Sequence, residues 1–211
     1  MRGGSKSIPN KNIKKFGGKP LCAWVLDSAL KSKEIDQIYV SSDSDKILST
    51  VNKISKKIIT IKRKKQLAMD YSSTEDVLLD FAKCVDFKNI VTIQATSPFT
   101  SEKDLDAAIK KFKNERLDSL FTAVRSKRFY WDDNLNPINY DPKKRLMRQN
   151  FKGTLMENGA FYITNKKILE KNKCRLGGTI GVYEMNEMHS FEIDEMLDWN
   201  ILSKLINKIK L

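Results

Sequence analysis

Histidine is nearly absent, cysteine is rare and no long apolar run occurs in these 211 residues. With His189 as the one histidine, a Ser-His-Asp or Cys-His pair would depend on a single residue, which argues against hydrolytic chemistry of that type. Cys22, Cys84 and Cys174 lie far apart and form no C-x-x-C pair, so neither a disulfide framework nor a zinc ribbon is supported. No stretch approaches the roughly 18 to 20 consecutive apolar residues of a membrane-spanning helix, and no apolar segment follows Met1 as a secretory signal requires. The chain is therefore expected in the cytoplasm, with no membrane partner. Arginine is scarce too: 8 of the 39 basic residues are Arg. The few arginines thus mark sites that need a planar, always-charged fork, whereas lysine is common as a solvated surface residue. The net charge of +13 favours an anionic partner in general: nucleic acid, acidic lipid or a phosphorylated small molecule.

What is abundant is alternation. Pro20 to Lys33 sets Leu21, Trp24, Val25, Ser28, Ala29 and Ser32 at helical spacing, with Pro20 in the first turn. Gln37 to Ser41 reads as a β-branched strand ending in Ser41-Ser42-Asp43, as a parallel strand ends at a functional rim. Helix is expected over 44–54, strand over 58–61, helix over 74–85 and strand over 89–94. Ser101-x-x-Asp104 then opens a helix running to about Lys113. Strands follow at 119–124, 159–164 and 180–185, and a closing helix from about Glu195 carries Leu197, Ile201, Leu205 and Ile209 at i+4. This pattern predicts one α/β domain over 1–211, Rossmann-like, with a mostly parallel sheet between helices and ligands at the carboxyl ends of its strands. Between 125 and 157 the pattern fails, and that polar segment is read as an excursion from the sheet.

The segment Arg2-Gly3-Gly4-Ser5-Lys6-Ser7-Ile8-Pro9-Asn10-Lys11-Asn12 carries the most chemistry. Two glycines let the backbone approach a ligand, successive amides can form an anion-binding nest, and Arg2, Lys6 and Lys11 can neutralise a polyphosphate. Its spacing matches neither G-x-x-x-x-G-K-[ST] nor G-x-G-x-x-G. The bland alternative is a flexible basic tail.

The run resembles the A-R-G-G-S-K-G-I-P-x-K-N opening of the N-acylneuraminate cytidylyltransferases, or CMP-sialic acid synthetases. Further motifs follow in order: Val40-Ser41-Ser42-Asp43, Arg63 to Asp76 (RKKQLAMDYSSTED), Gln94-Ala95-Thr96-Ser97-Pro98, Lys144 to Asn150 (KRLMRQN), Glu157 to Tyr162 (ENGAFY) and His189 to Trp199 (HSFEIDEMLDW). The resemblance spans almost the whole chain. Family members place an apolar strand before the glycine-rich loop, so a first strand of ~6 to 10 residues is expected to be missing here.

The resemblance implies transfer of CMP from CTP to the anomeric hydroxyl of a nine-carbon 2-keto acid sugar, with Mg2+ as cofactor and pyrophosphate as leaving group. It assigns Arg2, Lys6 and Lys11 to the triphosphate as catalytic cations, Gly3, Gly4 and Ser5 to its backbone cradle, and Asn12, Arg63 and Ser73 to the nucleotide. Gln94, Arg148, Gln149 and Asn158 become sugar-side residues, Arg148 suiting the C1 carboxylate. Glu192 and Asp194, at i and i+2, point to one side of an extended segment and form a metal pair in which Asp194 also counts as catalytic. Glu192 stands where the family has Asp, and the bland alternative for it is an acidic cap of the closing helix. Asp198 is expected to be structural and His189 to be a packing or hydrogen-bonding residue.

In the resembled family the 125–157 region forms a dimerisation arm, so a homodimer is implied, with Phe129, Tyr130 and Trp131 too apolar to be left in water. The sugar stays open among N-acylneuraminate, legionaminate, pseudaminate and deaminated neuraminate, because Asn150 and Met156 depart from the family pattern. A catalytically impaired nucleotide-binding homologue is a further alternative. A nucleic-acid partner is disfavoured, since lysine-dense 53–65 lacks interleaved aromatics. Lys143-Lys144-Arg145 would suit a nuclear address in an animal-like host but lies inside the enzyme motif.

Overall fold

A computed structural model describes residues 1–206, the Ser190 side chain excepted. A short hairpin, β1 (Lys15–Phe16) and β2 (Lys19–Pro20), leads into α1 (Leu21–Lys31). Then come β3 (Ile38–Ser42), α2 (Asp45–Ile54), β4 (Ile58–Lys62), α3 (Thr74–Cys84), β5 (Asn89–Ile93), α4 (Glu102–Asn114) and β6 (Ser119–Ser126). The chain finishes with β7 (Thr154–Asn165), α5 (Lys166–Asn172), β8 (Ile180–Met185) and α6 (Met196–Ile206). The expected α/β alternation is therefore present. Pro20 caps α1 from outside rather than lying within its first turn.

The strands form two separate larger sheets, β3-β4 and β5-β7-β6-β8. Pairing is parallel at β3/β4 and β6/β8, while β7 runs antiparallel between β5 and β6. Among the described residues β3 pairs only with β4, and β5 only with β7, so each has one edge without a ladder partner. Side chains nevertheless bridge the seam, with Ile38 of β3 and Ile93 of β5 both packed against the two central apolar clusters. That seam between β3 and β5 is where the structure interrupts the sheet.

Period-two burial distributes the helices to two faces. Val91 and Ile93 of β5, with Phe161 and Ile163 of β7, meet Leu105, Ala108, Ile109 and Phe112 of α4 and Ala29 of α1. Ile90 faces the opposite layer, where Leu78 and Ala82 of α3 pack with Leu169 of α5. The closing helix corrects the expected apolar face. It buries Trp199, Leu202 and Ile206 and leaves Leu197 at 66% and Ile201 at 48% exposure, while Ile209 lies outside the described residues. Of the described members of the i+4 row, Leu205 packs against the core, partly buried, whereas Leu197 and Ile201 lie one step around the helix from the residues that reach it. Each buried aliphatic here contributes roughly 1.5–3 kcal/mol.

The irregular segment is narrower than expected. β6 runs to Ser126 and β7 starts at Thr154, with Ser126 opposite Thr154, so the excursion is residues 127–153 on an antiparallel stem. Phe129 packs locally on Tyr140 and Phe151, with ring centroids 4.2 and 4.8 Å apart, and Arg145 lies over its face. The Tyr130 hydroxyl is 2.7 Å from Ser126 Oγ. Much of the expected aromatic cluster is thus satisfied within the excursion.

Candidate active site

The glycine-rich loop closes over the carboxyl end of β3. Gly3 N donates to Asp43 Oδ1 at 2.9 Å, and a Cβ on Gly3 would lie 2.8 Å from Ser44 Cβ, a spacing no side chain tolerates. Gly4, by contrast, has open space around it. Ser5 N folds back to Gly3 O at 3.1 Å. Fully buried Ile8 anchors the loop among Phe16, Leu21, Phe99, Ile193 and Trp199. Asn10 takes a left-handed conformation at φ 55, which Asn tolerates better than most residues. Asn12 is buried and donates to Arg2 O at 3.1 Å, tying the end of the loop to its start.

Two of the expected triphosphate cations share one carboxylate. Arg2 Nη1 is 2.6 Å from Asp70 Oδ1, and Lys6 Nζ is 2.5 Å from Asp70 Oδ2. The Lys6 ammonium first, and then Arg2, hold the Asp70 carboxyl below its ordinary range. Lys11 behaves differently. Its side chain is only 12% exposed, and its ammonium donates to Ile193 O at 2.8 Å and to Asp194 Oδ1 at 3.2 Å. Ser7 Oγ also donates to Asp194 O. The amino-terminal loop and the acidic segment near the carboxyl terminus thus form one surface.

Arg63, just past β4, lies along the end of β3. It donates from Nη2 to Ser41 O at 2.9 Å and from Nε to Ser41 Oγ at 3.2 Å, while its backbone N reaches Ser42 O at 2.8 Å. Burial lowers its pKa, against the pull of Asp43. Ser73 is the N-cap of α3 and forms a reciprocal capping box with Asp76. Its hydroxyl is therefore engaged by the helix start, a role the sequence reading did not give it.

The acidic segment is held at several points. Ile193 N donates to Thr96 O at 2.9 Å and the Ile193 side chain is fully buried. Asp198 Oδ2 accepts from Asp194 N and Glu195 N at 3.0 and 2.8 Å, tying the acidic segment to the start of the closing helix. Glu192 is half-buried beside Ser97, whose hydroxyl lies 3.5 Å from Oε1. Burial first, and then the Asp194 charge, push the Glu192 pKa up. Its niche exists because Gly159, at φ 64, has no Cβ: one placed there would collide with Glu192 Oε1.

Gly159 sits where the β6/β7 register shifts, between the pairs Phe121↔Tyr162 and Ala123↔Glu157. Such an irregularity re-aims side chains, and this one turns Asn158 inward. Asn158 is buried, and its Nδ2 donates to His189 O at 2.9 Å. Gln94 lies just past β5, its N donating to Ala160 O at 2.9 Å, which places it beside this bend. Arg148 and Gln149 are exposed on the excursion, where Gln149 Nε2 donates to Met147 Sδ at 3.5 Å.

Several participants were not singled out from sequence: Asp43, Asp70, Ser97, Gly159 and Tyr162. Tyr162 donates to Glu157 and carries the Arg175 guanidinium 4.7 Å above its ring, and burial raises its phenol pKa. All five lie inside or beside the recognised motifs. For Asp43 and Asp70 the available signal was a carboxylate inside a recognised motif, VSSD and RKKQLAMDYSSTED respectively.

The chain is similar to known proteins over most of its length. A family model described as cytidylyltransferase matches residues 1–210. N-acylneuraminate cytidylyltransferase A of Danio rerio is 34% identical over 213 residues, covering 97% of this chain and 49% of that protein. Pseudaminic acid cytidylyltransferase of Campylobacter jejuni is 32% identical over 183 residues, covering 81% and 78%. The chain spans about half the length of the N-acylneuraminate relatives it matches. The fold is shared with a CMP:2-keto-3-deoxy-manno-octonic acid synthetase solved with CTP, at TM-score 0.74 and 15% identity over 99% of this chain and 96% of that one.

Proposed function

Because the chain belongs to the cytidylyltransferase family, we propose that it transfers CMP from CTP to the anomeric hydroxyl of N-acylneuraminate or a related nine-carbon 2-keto acid. The observation that carries this reading is the meeting of Lys11 with Asp194, which closes the cationic glycine-rich loop onto an acidic segment. Such a surface suits a reaction whose main demands are positioning and charge neutralisation. Arg2 and Lys6, released from Asp70, would take the β- and γ-phosphates. Lys11, held in place by Ile193 O, would face the α-phosphate, where the sugar oxygen forms its bond as the bond to pyrophosphate breaks. Arg63 would bound the nucleoside side. Gln94 and Asn158 would lie at the sugar.

The acidic pair fits Mg2+. This ion accepts one or two carboxylates and completes its shell with water and substrate phosphates. Glu192 and Asp194, which flank buried Ile193, supply two hard oxygen donors, and no cluster of three ligating side chains occurs among the described residues. Bound there, Mg2+ would neutralise charge on the phosphates.

A homodimer through the excursion is part of the same reading. Leu135 is 78% exposed, and Ile138 and Met147 are each 63% exposed, an apolar rim left over after Phe129 is packed. Arg148 and Gln149 on that loop would then serve the partner's sugar site. Identity to the Campylobacter jejuni protein keeps pseudaminate as the second substrate. The test is pyrophosphate release from CTP and Mg2+ with a panel of nine-carbon acids, Asp194→Ala as control. Turnover with one acid and loss in the control supports the reading, and no release with any acid overturns it.

A further inference from the structure

His189, the single histidine, takes no part in the chemistry above. It sits in a turn of 3-10 helix over Glu187–Ser190, three residues before Glu192. Its carbonyl accepts from Asn158 Nδ2. Its buried Nδ1 lies 3.4 Å from Asp104 Oδ2 yet makes no hydrogen bond. Asp104 is itself fixed: it closes the capping box of α4, accepting from Ser101 N at 3.1 Å and Ser101 Oγ at 2.6 Å, and it receives the Tyr183 hydroxyl at 3.4 Å. Burial pushes the Tyr183 pKa up to about 12, so that hydroxyl stays a donor.

The acidic segment is thereby suspended between two fixed points. Downstream, Ile193 is held by Thr96 O, by the apolar core and by Lys11. Upstream, His189 is held through its carbonyl by Asn158 of β7, and its buried ring is seated against Asp104 in the first turn of α4, 3.4 Å from Oδ2. Only residues 190–192 lie between, so where Glu192 falls depends on both anchors. We propose that His189, seated against Asp104, is a positioning residue that sets Glu192 and Asp194 at the separation a divalent cation and its nucleotide require. This rests on the reading of those two carboxylates as the metal pair. Residues that orient ligands from behind typically change metal affinity or activity by about 10- to 100-fold when removed.

The test is Mn2+ binding to the enzyme–CTP complex, read by electron paramagnetic resonance, alongside CTP binding without metal. His189→Ala is expected to weaken Mn2+ about 10-fold while metal-free CTP affinity stays within about 2-fold. His189→Gln, which keeps a polar tip near Asp104, should recover at least half of that loss. It is also the variant to read if His189→Ala does not fold. Unchanged Mn2+ affinity in His189→Gln and His189→Ala, with Asp194→Ala defective, overturns the positioning role alone. Unchanged affinity in Asp194→Ala overturns the metal reading itself.

Discussion

Lys11 and Asp194, 183 positions apart, meet at 3.2 Å while the same ammonium holds Ile193 O at 2.8 Å. One nearly buried lysine therefore both neutralises charge at the site and latches the acidic segment to the loop. Lys11→Met should lower turnover by about 100-fold, the scale of a lost preorganised donor. Steady-state pyrophosphate release checks this, and a loss under about 3-fold would remove Lys11 from the phosphate path.

Asp70 holds both Arg2 and Lys6, so on the proposed function it would compete with the triphosphate for them. Its depressed pKa means the ion pairs are intact above the ordinary carboxylate range and are lost only as pH falls through the lowered value. At neutral pH Asp70 is therefore charged and both ion pairs are in place. Asp70→Asn should tighten CTP about 2- to 5-fold, as expected for exposed pairs. Calorimetric titration measures it, and weaker binding would instead make Asp70 a scaffold of the loop.

Glu192 carries the opposite shift. Its raised pKa means the folded metal-free protein binds a proton there more tightly than the unfolded chain does. The burial penalty of the carboxylate is thus full above the raised pKa and is relieved as pH falls through it. Glu192→Gln should melt at or above the wild-type temperature at pH 8 in the absence of divalent ions, with the gap closing towards pH 5. A gap that widens on acidification would contradict the assignment.

Gly159→Ala would place a methyl group against the Glu192 carboxylate at a left-handed backbone position. The backbone term alone costs about 1–2 kcal/mol. Thermal unfolding should show that loss, and turnover should fall by more than the change in folded fraction because Glu192 is displaced.

The excursion can be tested by sedimentation. Leu135→Ser with Ile138→Ser leaves the local Phe129 packing intact while removing two exposed apolar groups. Wild-type protein should sediment as a dimer and the variant as a monomer at micromolar concentration. Identical behaviour would assign that rim elsewhere.

Local signals were the legible part of this fold. Ser101-x-x-Asp104 announced α4, and Ile180 to Met185 was bounded as the structure has it. Ser73-x-x-Asp76 carries the same capping signal, but a resemblance that assigned Ser73 to the nucleotide hid it. β7 was read only from Gly159 because Met156, Glu157 and Asn158 break the apolar alternation, and the register shift that aims Asn158 inward appears only once β6 is alongside. Trp199, Leu202 and Ile206 were passed over for a more regular row because periodicity marks an apolar helix without saying which stripe meets the core. The pairing of Arg2 and Lys6 with Asp70 depends on chain reversal over more than sixty positions. Spacing within one motif carries no trace of it.

The seam between β3 and β5 has a dynamic consequence. Two sheets joined by side-chain contacts, without a shared ladder, are able to open as separate cooperative units. Amide hydrogens of β3 and β4 should therefore exchange faster than those of β6 and β7, which hold partners on both sides. The glycine-rich loop straddles that division, tied through Gly3 to Asp43 on one bank and through Lys11 to Ile193 on the other. A bound nucleotide would splice the two banks, and its binding energy would then appear as slowed exchange in strands it never touches.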